Sequence, residues 1–380
     1  MTPFKKAVGK LHLWLGLASG LVVFIVSITG AIFVFQDDIR DLTEPWRKVA
    51  VQNTAPVLPS RLQAAALAGH PGIKAADTWT TYFGPERSAT VFFMAKDGAL
   101  MLVYLNPYTG QVLHKQDLRT HFFTIIQEIH MHLLLPEAVA KWVVGGAISI
   151  FVVLLLTGLV LWWPKRQQER KQRFTIKWGA RWRRVNYDLH NVLGFYVASI
   201  GLVLALSGLF MIFPGLLRSI VWVVDGGKPA PPELMEARLD SRQTATAANQ
   251  PLSDIVYRTV RRLSPANEMV LIGPTGAGQA PAFCWTYKKA LHYYHRDEYA
   301  FHPVSGQLLE SRFHATKSAG TRFSDMNYDL HVGQILGFGG KLVAFLASLI
   351  SASLPVTGTI VWWGRRSKTR KKARQLVAAS

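Results

Sequence analysis

Four of the twelve histidines stand out because each accompanies a long apolar segment: His12, His130, His190 and His331. Imidazole coordinates transition metals through a ring nitrogen. Zinc is one use of such residues, but these histidines lack cysteine or carboxylate neighbours at zinc-ligand spacing. Sites that need only two protein ligands fit the pattern better, and four histidines supply two such sites.

The apolar segments that carry them are long enough to cross a membrane. A hydrocarbon core of roughly 30 Å takes about 20 helical residues. The sequence predicts transmembrane helices TM1 to TM4 at residues 11–35, 139–163, 189–213 and 336–363. TM1 resembles a signal peptide in having a basic start, but its apolar run is too long and no cleavage site follows.

The basic residues predict the orientation. Residues 1–10, 164–188 and 364–380 hold 19 of the 43 Lys and Arg residues but only two of the 23 acidic ones. Basic loops stay on the cytoplasmic side. We therefore predict a bacterial inner-membrane protein with a cytoplasmic N-tail, loop and C-tail, and with residues 36–135 and 214–330 in the periplasm. The net charge of +20 then reflects topology, which argues against nucleic-acid binding.

This topology sorts the histidines into two pairs. With one histidine beginning each span and alternating helix directions, His12 and His190 lie at the cytoplasmic level and His130 and His331 at the periplasmic level. Two imidazoles across a helical bundle fill both axial positions of a haem iron, and such a haem transfers electrons. Cys284 is the only cysteine and no C-x-x-C-H sequence is present. The cofactors predicted are therefore two haems of the b type, one per pair.

Small residues recur at fixed distances from the histidines. Gly30 follows His12 by 18 residues, and Gly208 follows His190 by the same interval, which places each pair on one helix face. TM2 and TM4 each carry a Thr-Gly pair, ending in Gly158 and Gly358. We predict that these glycines leave room for the haems; close helix packing is the alternative. The angular match of Gly158 and Gly358 to His130 and His331 is poor.

The two halves of the chain repeat the same histidine and glycine spacings. This agreement predicts a tandem duplication of a unit made of helix, external domain and helix. The external segments share a strand, turn, strand motif around the Pro107 and Pro303 turns. An amphipathic helix is expected ahead of the strands in each segment, at residues 61–68 and 253–263. The fold class is thus an integral membrane α-helical protein with two small α+β periplasmic domains.

Two assignments stay open at this point. His132 competes with His130, and residues two apart on a helix point in different directions, so only one faces the interior; we favour His130. Haem propionates need cationic partners. The expected partners are Arg119, Arg322, Lys141 and Lys341 at the outer site, and Lys10, Arg183 and Arg184 at the inner one.

The chain resembles the PepSY-associated transmembrane helix family over nearly its whole length. The residues that carry the likeness are Leu11-His12, Ile129-His130, Asp188-Leu189-His190, Asp329-Leu330-His331, the Thr-Gly pairs and the Trp-Trp-basic ends of TM2 and TM4. The external Pro-x-x-Gly turns resemble the PepSY unit. His132 departs from the family pattern, in which another polar residue is commoner there.

The resemblance implies an enzyme, a ferric-siderophore reductase that moves electrons across the membrane and releases ferrous iron in the periplasm. No catalytic residue beyond the haems is then required. The partners implied are a ferric siderophore, membrane lipid and an electron donor, either quinol or a cytoplasmic reductase. Two other classes remain: a transporter of iron or siderophore, which the absence of acidic residues in the spans disfavours, and a regulatory protein whose periplasmic domains bind a partner.

Overall fold

The computed structural model describes residues 2–164, 173–229, 231, 234, 248–275 and 280–377. It contains two compact units. The membrane unit comprises Met1–Phe35, Ile126–Leu216 and Leu330–Ser380, and the sheet unit comprises Gln36–Ile125 and Leu217–Asp329. The helices used below are α1 (Pro3–Val34), α2 (Gln36–Thr43), α3 (Pro59–Leu67), α4 (Phe122–His132), α5 (Glu137–Trp162), α6 (Trp182–Ile212), α7 (Pro214–Val224), α8 (Leu252–Leu263), α9 (Ala319–His331) and α10 (Gly337–Val377).

Four helices are long and apolar enough to cross a membrane: Pro3–Val34, Glu137–Trp162, Trp182–Ile212 and Gln334–Arg366. The prediction of a four-span membrane protein is confirmed in this respect. Helix α1 packs against α5 and α10, and α6 packs against the same two helices. In this four-helix arrangement α1 therefore lies diagonally opposite α6, and α5 lies opposite α10. The bundle core includes Val23 of α1, Phe151 of α5 and Leu209 of α6.

The helix boundaries differ from the predicted spans. The third helix begins at Trp182, and it thereby includes Asp188, which the predicted span at residues 189–213 left outside. Asp188 is 2% exposed, and its carboxylate accepts a hydrogen bond of 2.8 Å from Arg184 Nε one turn earlier. A buried carboxylate with a charged partner is tolerated at a helix end. The fourth helix extends past Trp363 to Val377.

His130 and His331 do not begin a membrane span. His130 lies in α4, a separate helix that ends at His132, and His331 is the last residue of α9. Leu133 and Leu134 have positive φ angles after α4, and Gly333 has φ +76° after α9. A left-handed residue ends a helix, so both histidines sit at helix C-termini just before the chain turns into α5 and α10.

The sheet unit contains one eight-stranded antiparallel sheet in the order β4-β3-β2-β1-β5-β6-β7-β8. The two external segments were expected to form two domains, but β1 pairs with β5, with Thr81 opposite Leu271. Pairing removes two open strand edges, whose exposed N–H and C=O groups could otherwise pair with another chain. The strands are β1 (Trp79–Tyr82), β2 (Ala89–Met94), β3 (Leu100–Leu105), β4 (Val112–Asp117), β5 (Met269–Ile272), β6 (Ala282–Tyr287), β7 (Arg296–Phe301) and β8 (Leu308–Arg312).

One face of this sheet is covered by α3 and α8. Leu62 of α3 and Val260 of α8 are fully buried against strand residues such as Val91 and Val103. Cys284 lies in the same core as a free thiol. Burial raises the pKa of this thiol, so it stays protonated and inert.

Helix α9 is attached to the sheet unit through Asp329. Its Oδ2 atom accepts hydrogen bonds from the backbone N–H groups of Tyr293 and Tyr294, both 2.9 Å long. Asp329 is 1% exposed. Burial raises the pKa of Asp329 to about 6 against the pull of these two hydrogen bonds, because a carboxylate is poorly solvated inside a protein.

Candidate functional site

The structure brings His12 and His190 together across the bundle. They belong to the diagonal helices α1 and α6, and their ring centroids are 6.3 Å apart with planes at 84°. A metal–imidazole bond is about 2.0–2.1 Å long, so two imidazoles that coordinate one metal from opposite sides have centroids roughly 6 Å apart. The spacing of this inner pair therefore suits a single metal between the rings.

The same two rings are held by hydroxyl groups from the other pair of helices. His12 Nδ1 lies 2.9 Å from Thr157 Oγ1, and His190 Nδ1 lies 3.0 Å from Thr357 Oγ1. Each hydroxyl donates its proton to a backbone carbonyl of its own helix. It is then free to accept from an Nδ1–H group. This tautomer leaves the Nε2 lone pair of each ring for a metal.

His130 and His331 form a second pair with the same features. Their ring centroids are 6.2 Å apart, with planes at 55°. His130 Nδ1 lies 2.9 Å from the carbonyl of Val26, and His331 Nδ1 lies 3.1 Å from that of Leu204. A carbonyl can only accept, so each Nδ1 carries a proton and each Nε2 is available as a ligand. Thr29 Oγ1 and Ser207 Oγ add a second contact to these Nδ1 atoms, at 3.2 Å and 2.9 Å.

The glycines of this outer pair stand against the histidine rings. A Cβ atom built on Gly30 would lie 2.9 Å from His130 Cε1, and one on Gly208 would lie 3.2 Å from His331 Cε1. The first distance is shorter than real carbon atoms tolerate. These glycines therefore make room for the imidazoles, whereas the sequence interpretation assigned the space to the haems.

The inner pair has the same arrangement with helices exchanged. A Cβ atom on Gly158 would lie 3.5 Å from His12 Cε1, and one on Gly358 would lie 3.1 Å from His190 Cε1. Gly158 and Gly358 thus contact the inner histidines, and their angular relation to His130 and His331 does not matter. His130 and Gly158 lie in different helices, α4 and α5, and so do His331 and Gly358, in α9 and α10. The angular positions of the histidine and the glycine therefore cannot be compared along one continuous helix.

The two pairs lie at opposite ends of the bundle. Helix α1 is continuous from Pro3 to Val34. It carries His12 of the inner pair and Gly30, which contacts the outer pair, 18 residues later. At 1.5 Å per residue this interval corresponds to about 27 Å along the helix axis. Two separate two-histidine sites are therefore spaced by most of a bilayer core.

A cavity of about 530 Å³ adjoins the inner pair. Ligand pockets typically have volumes of about 300–1,000 Å³, so the space suits a cofactor. Its walls include small residues, among them Gly9, Gly16, Gly20 and Gly194. A bulky planar ligand needs such places where side chains do not fill the gap.

The cationic side chains at this cavity differ from those predicted. Lys5, Arg173 and Arg365 line it, whereas Lys10, Arg183 and Arg184 do not. Arg184 instead forms an ion pair of 2.8 Å with Asp188. Lys5, Arg173 and Arg365 are far apart in sequence, and only the folded bundle brings them together at this cavity.

Other histidines that could have been ligands form hydrogen bonds away from the two pairs. His132 Nδ1 lies 2.8 Å from Glu128 Oε2, one turn earlier on α4, and the glutamate side chain is half exposed. His302 Nδ1 accepts from the backbone N–H groups of Val304 and Ser305 and so stabilises a turn. Among the described residues, no three His, Cys, Asp or Glu side chains form a metal-binding group. This favours two-ligand chemistry over a structural zinc site.

Comparison with known proteins adds one result. The sequence family described as the PepSY-associated TM region matches residues 10–365. The chain belongs to the PepSY-associated TM family. The resemblance noted in the sequence is confirmed at this level. No curated protein that was compared matches the chain.

The matched range of this PepSY-associated TM protein includes all four paired histidines. It also includes Thr157, Thr357 and the four glycines that contact the rings. Each imidazole is thus supplied by one helix, held by a hydroxyl or carbonyl from another, and given space by a glycine beside that partner. The family identity and the site geometry concern the same residues.

Proposed function

We propose that this protein is a di-haem oxidoreductase of the bacterial inner membrane that passes electrons outward to reduce a ferric siderophore and release ferrous iron. The observation that carries the proposal is the pairing of His12 with His190 and of His130 with His331 at 6.3 Å and 6.2 Å between ring centroids. In both pairs Nδ1 is hydrogen-bonded and Nε2 is available for a metal.

The paired histidines offer ligand nitrogens suited to haem b at both sites, and at the inner site a cavity of about 530 Å³ adjoins them. A haem held by two imidazoles would supply one-electron transfer. His12 and His190 would hold the haem of the inner site, and His130 and His331 that of the outer site. Thr157 and Thr357 fix the tautomer and ring orientation at the inner site. Lys5, Arg173 and Arg365 supply positive charge to the inner cavity, which suits carboxylate groups on a ligand.

The reaction requires of the protein only the two haem sites that carry the electrons and a surface at which the ferric chelate approaches. Each ferric ion accepts one electron, and the softer ferrous ion is held less tightly by hard oxygen chelators. No acid, base or nucleophile takes part. The electron donor is a separate molecule, either quinol in the bilayer or a cytoplasmic reductase. The excess of basic residues in the short loops supports cytoplasmic termini and a periplasmic sheet unit.

The test measures haem reoxidation and the release of ferrous iron together. The purified protein in nanodiscs is reduced anaerobically with a stoichiometric amount of dithionite and then mixed with a ferric siderophore and a chromophoric ferrous chelator. We expect haem reoxidation and ferrous iron release in a ratio of one to one. Reoxidation without ferrous iron, or no reoxidation, would refute the reductase proposal. A colourless protein would instead favour a regulatory role for the sheet unit.

A further inference from the structure

Asn186 is a polar side chain buried inside the membrane unit. It lies on α6, one turn before His190, and is 1% exposed. Polar residues inside a membrane-spanning helix are costly and commonly have a function. Asn186 does not line the inner cavity, so it does not act by direct contact with a ligand there. Its role follows from the residue that its amide contacts.

The amide of Asn186 reaches the neighbouring helix α10. Its Nδ2 atom donates a hydrogen bond of 3.0 Å to the backbone carbonyl of Thr357. The amide oxygen has no hydrogen-bond partner among the described residues. The hydroxyl of the same threonine lies 3.0 Å from His190 Nδ1. Asn186 and His190, which share one face of α6, thus bind the backbone and the side chain of a single residue on α10.

The next residue of α10 makes the ring of His190 sensitive to the same backbone. A Cβ atom on Gly358 would lie 3.1 Å from His190 Cε1. That distance is tighter than most real Cβ contacts. A shift of α10 at Thr357 would therefore change both the hydrogen bond to Nδ1 and the space beside the ring.

Helix α10 is weakened just before Thr357. Pro355 lies inside the helix. Proline has no backbone N–H group, and its ring clashes with the carbonyl four residues earlier. One intrahelical hydrogen bond is therefore missing in this turn. Transmembrane helices tolerate proline where neighbouring helices supply polar contacts, and the bond from Asn186 is such a contact.

The His12 half of the inner site lacks both features. Thr157, which holds His12, lies in α5, and the sequence of α5 contains no proline. The residue one turn before His12 is Val8, whose side chain cannot form a hydrogen bond. The proline and the amide therefore occur together on the His190 side and are both absent on the His12 side.

We propose that Asn186 is the positioning residue for His190. Its amide holds the backbone of Thr357 so that Thr357 Oγ1 accepts from His190 Nδ1 and Nε2 stays available for a metal. The inference rests on the proposed function only for the identity of that metal as haem iron. Asn186 acts through Thr357, and the Thr157 contact with His12 is independent of it.

Double-mutant cycles test this coupling in the full-length protein. Asn186→Leu removes the amide at similar volume, and Thr357→Val removes the hydroxyl that holds His190. We expect Asn186→Leu to weaken haem binding at the inner site about tenfold and to raise the reduction potential of that haem. The potential of Asn186→Leu combined with Thr357→Val should equal that of Thr357→Val alone, because both changes break the same hydrogen bond.

The matched control cycle combines Asn186→Leu with Thr157→Val, on the His12 side of the same site. These two shifts in potential should add. Retention of the outer haem shows that each variant is folded. If Asn186→Leu does not fold, Asn186→Ala removes the amide without adding volume and replaces it in both cycles.

Nitrogen-15 magnetic resonance of the histidines in the haem-free protein reports the same coupling without the cofactor. The signal of His190 is the one that His190→Ala removes. We expect its proton on Nδ1 in the unaltered protein and in Thr157→Val, and a mixture of tautomers in Asn186→Leu and in Thr357→Val. A change in helix packing that left the Thr357 contact intact would not alter this tautomer.

An unchanged potential in Asn186→Leu, shifts that add with Thr357→Val, or an unchanged His190 tautomer would each overturn the inference. Failure here is distinguishable from failure of the proposed function. A protein that binds no haem, but whose His190 tautomer changes in Asn186→Leu, rejects the haem assignment alone. Two haems in the unaltered protein, with no effect of Asn186→Leu on potential or tautomer, reject the role of Asn186 alone.

Discussion

His12 Nδ1 on α1 and Thr157 Oγ1 on the neighbouring helix α5 are 2.9 Å apart. Thr157 donates its own proton to the carbonyl of Val153, 2.8 Å away. The hydroxyl is therefore an acceptor for the imidazole Nδ1–H group, and Nε2 is left available as a ligand. Groups that hold the second nitrogen of a metal-bound histidine orient the ring and raise its basicity.

Thr157→Val removes this acceptor while keeping the side-chain shape. We expect haem affinity at the inner site to fall by roughly 10–100-fold and the reduction potential of that haem to rise, because a less basic imidazole stabilises ferric iron less. Potentiometric titration and haem content measure both effects. Ser149→Ala on the same helix is the control, because among the described residues the Ser149 hydroxyl bonds only to the carbonyl of Gly145. Equal potentials and haem content in both variants would contradict the role of Thr157.

Gly30 and Gly146 make a matched pair for the space around the outer site. A Cβ atom on Gly30 would meet His130 Cε1 at 2.9 Å, while one on Gly146 would meet nothing within 4 Å. We expect Gly30→Ala to displace the ring and to reduce the haem content from two to one. Gly146→Ala should keep both haems and gain up to about 1 kcal/mol of helix stability. Retention of both haems by Gly30→Ala, measured as pyridine haemochrome, would argue against this positioning.

Replacement of His130 and His132 separately resolves which one is a ligand. His132 pairs with Glu128 at the surface of α4, and such exposed ion pairs contribute about 0–1 kcal/mol. His132→Ala should therefore retain both low-spin haem spectra. His130→Ala should lose the outer haem. The reverse pattern in electron paramagnetic resonance spectra would make His132 the ligand.

Asp329 gives the sheet unit a pH-dependent stability. Its pKa is about 6 in the folded protein against an ordinary value of 3.8. As the pH rises, the unfolded chain releases this proton first, so the folded state loses stability between about pH 4 and pH 6, by at most about 3 kcal/mol. The side chain in Asp329→Asn cannot ionise, so the melting temperature of this variant should change less with pH across this range. Parallel curves for Asp329→Asn and the unaltered protein would contradict the assignment; Glu310→Gln, at an exposed site, is the control.

The sequence was informative where one physical constraint dominates. Apolar runs of transmembrane length predicted the four spanning helices, and alternating apolar residues beside Pro107 and Pro303 predicted strands that the structure forms as β3 with β4 and β7 with β8. The histidines that the structure pairs were the ones singled out by their place at the apolar segments. In each case the signal is local.

What the sequence left out depends on tertiary contacts. The pairing of β1 with β5 joins residues nearly 200 positions apart, and nothing in either strand specifies it. The breaks after His130 and His331 have local signals, Pro136 and Gly333, yet the sequence interpretation placed these histidines at the start of the spans at 139–163 and 336–363. The contacts between glycines and imidazoles cannot be inferred before the helices are packed.

The central claim is that each histidine pair holds one haem. The most direct test is the haem count per chain of the detergent-purified protein from haem-replete cells, combined with its reduced-minus-oxidised visible spectrum. We expect two haems of the b type with sharp low-spin bands, falling to one in His190→Ala and to one in His331→Ala. A protein without haem, or one whose haem content is unchanged by both substitutions, would contradict the claim.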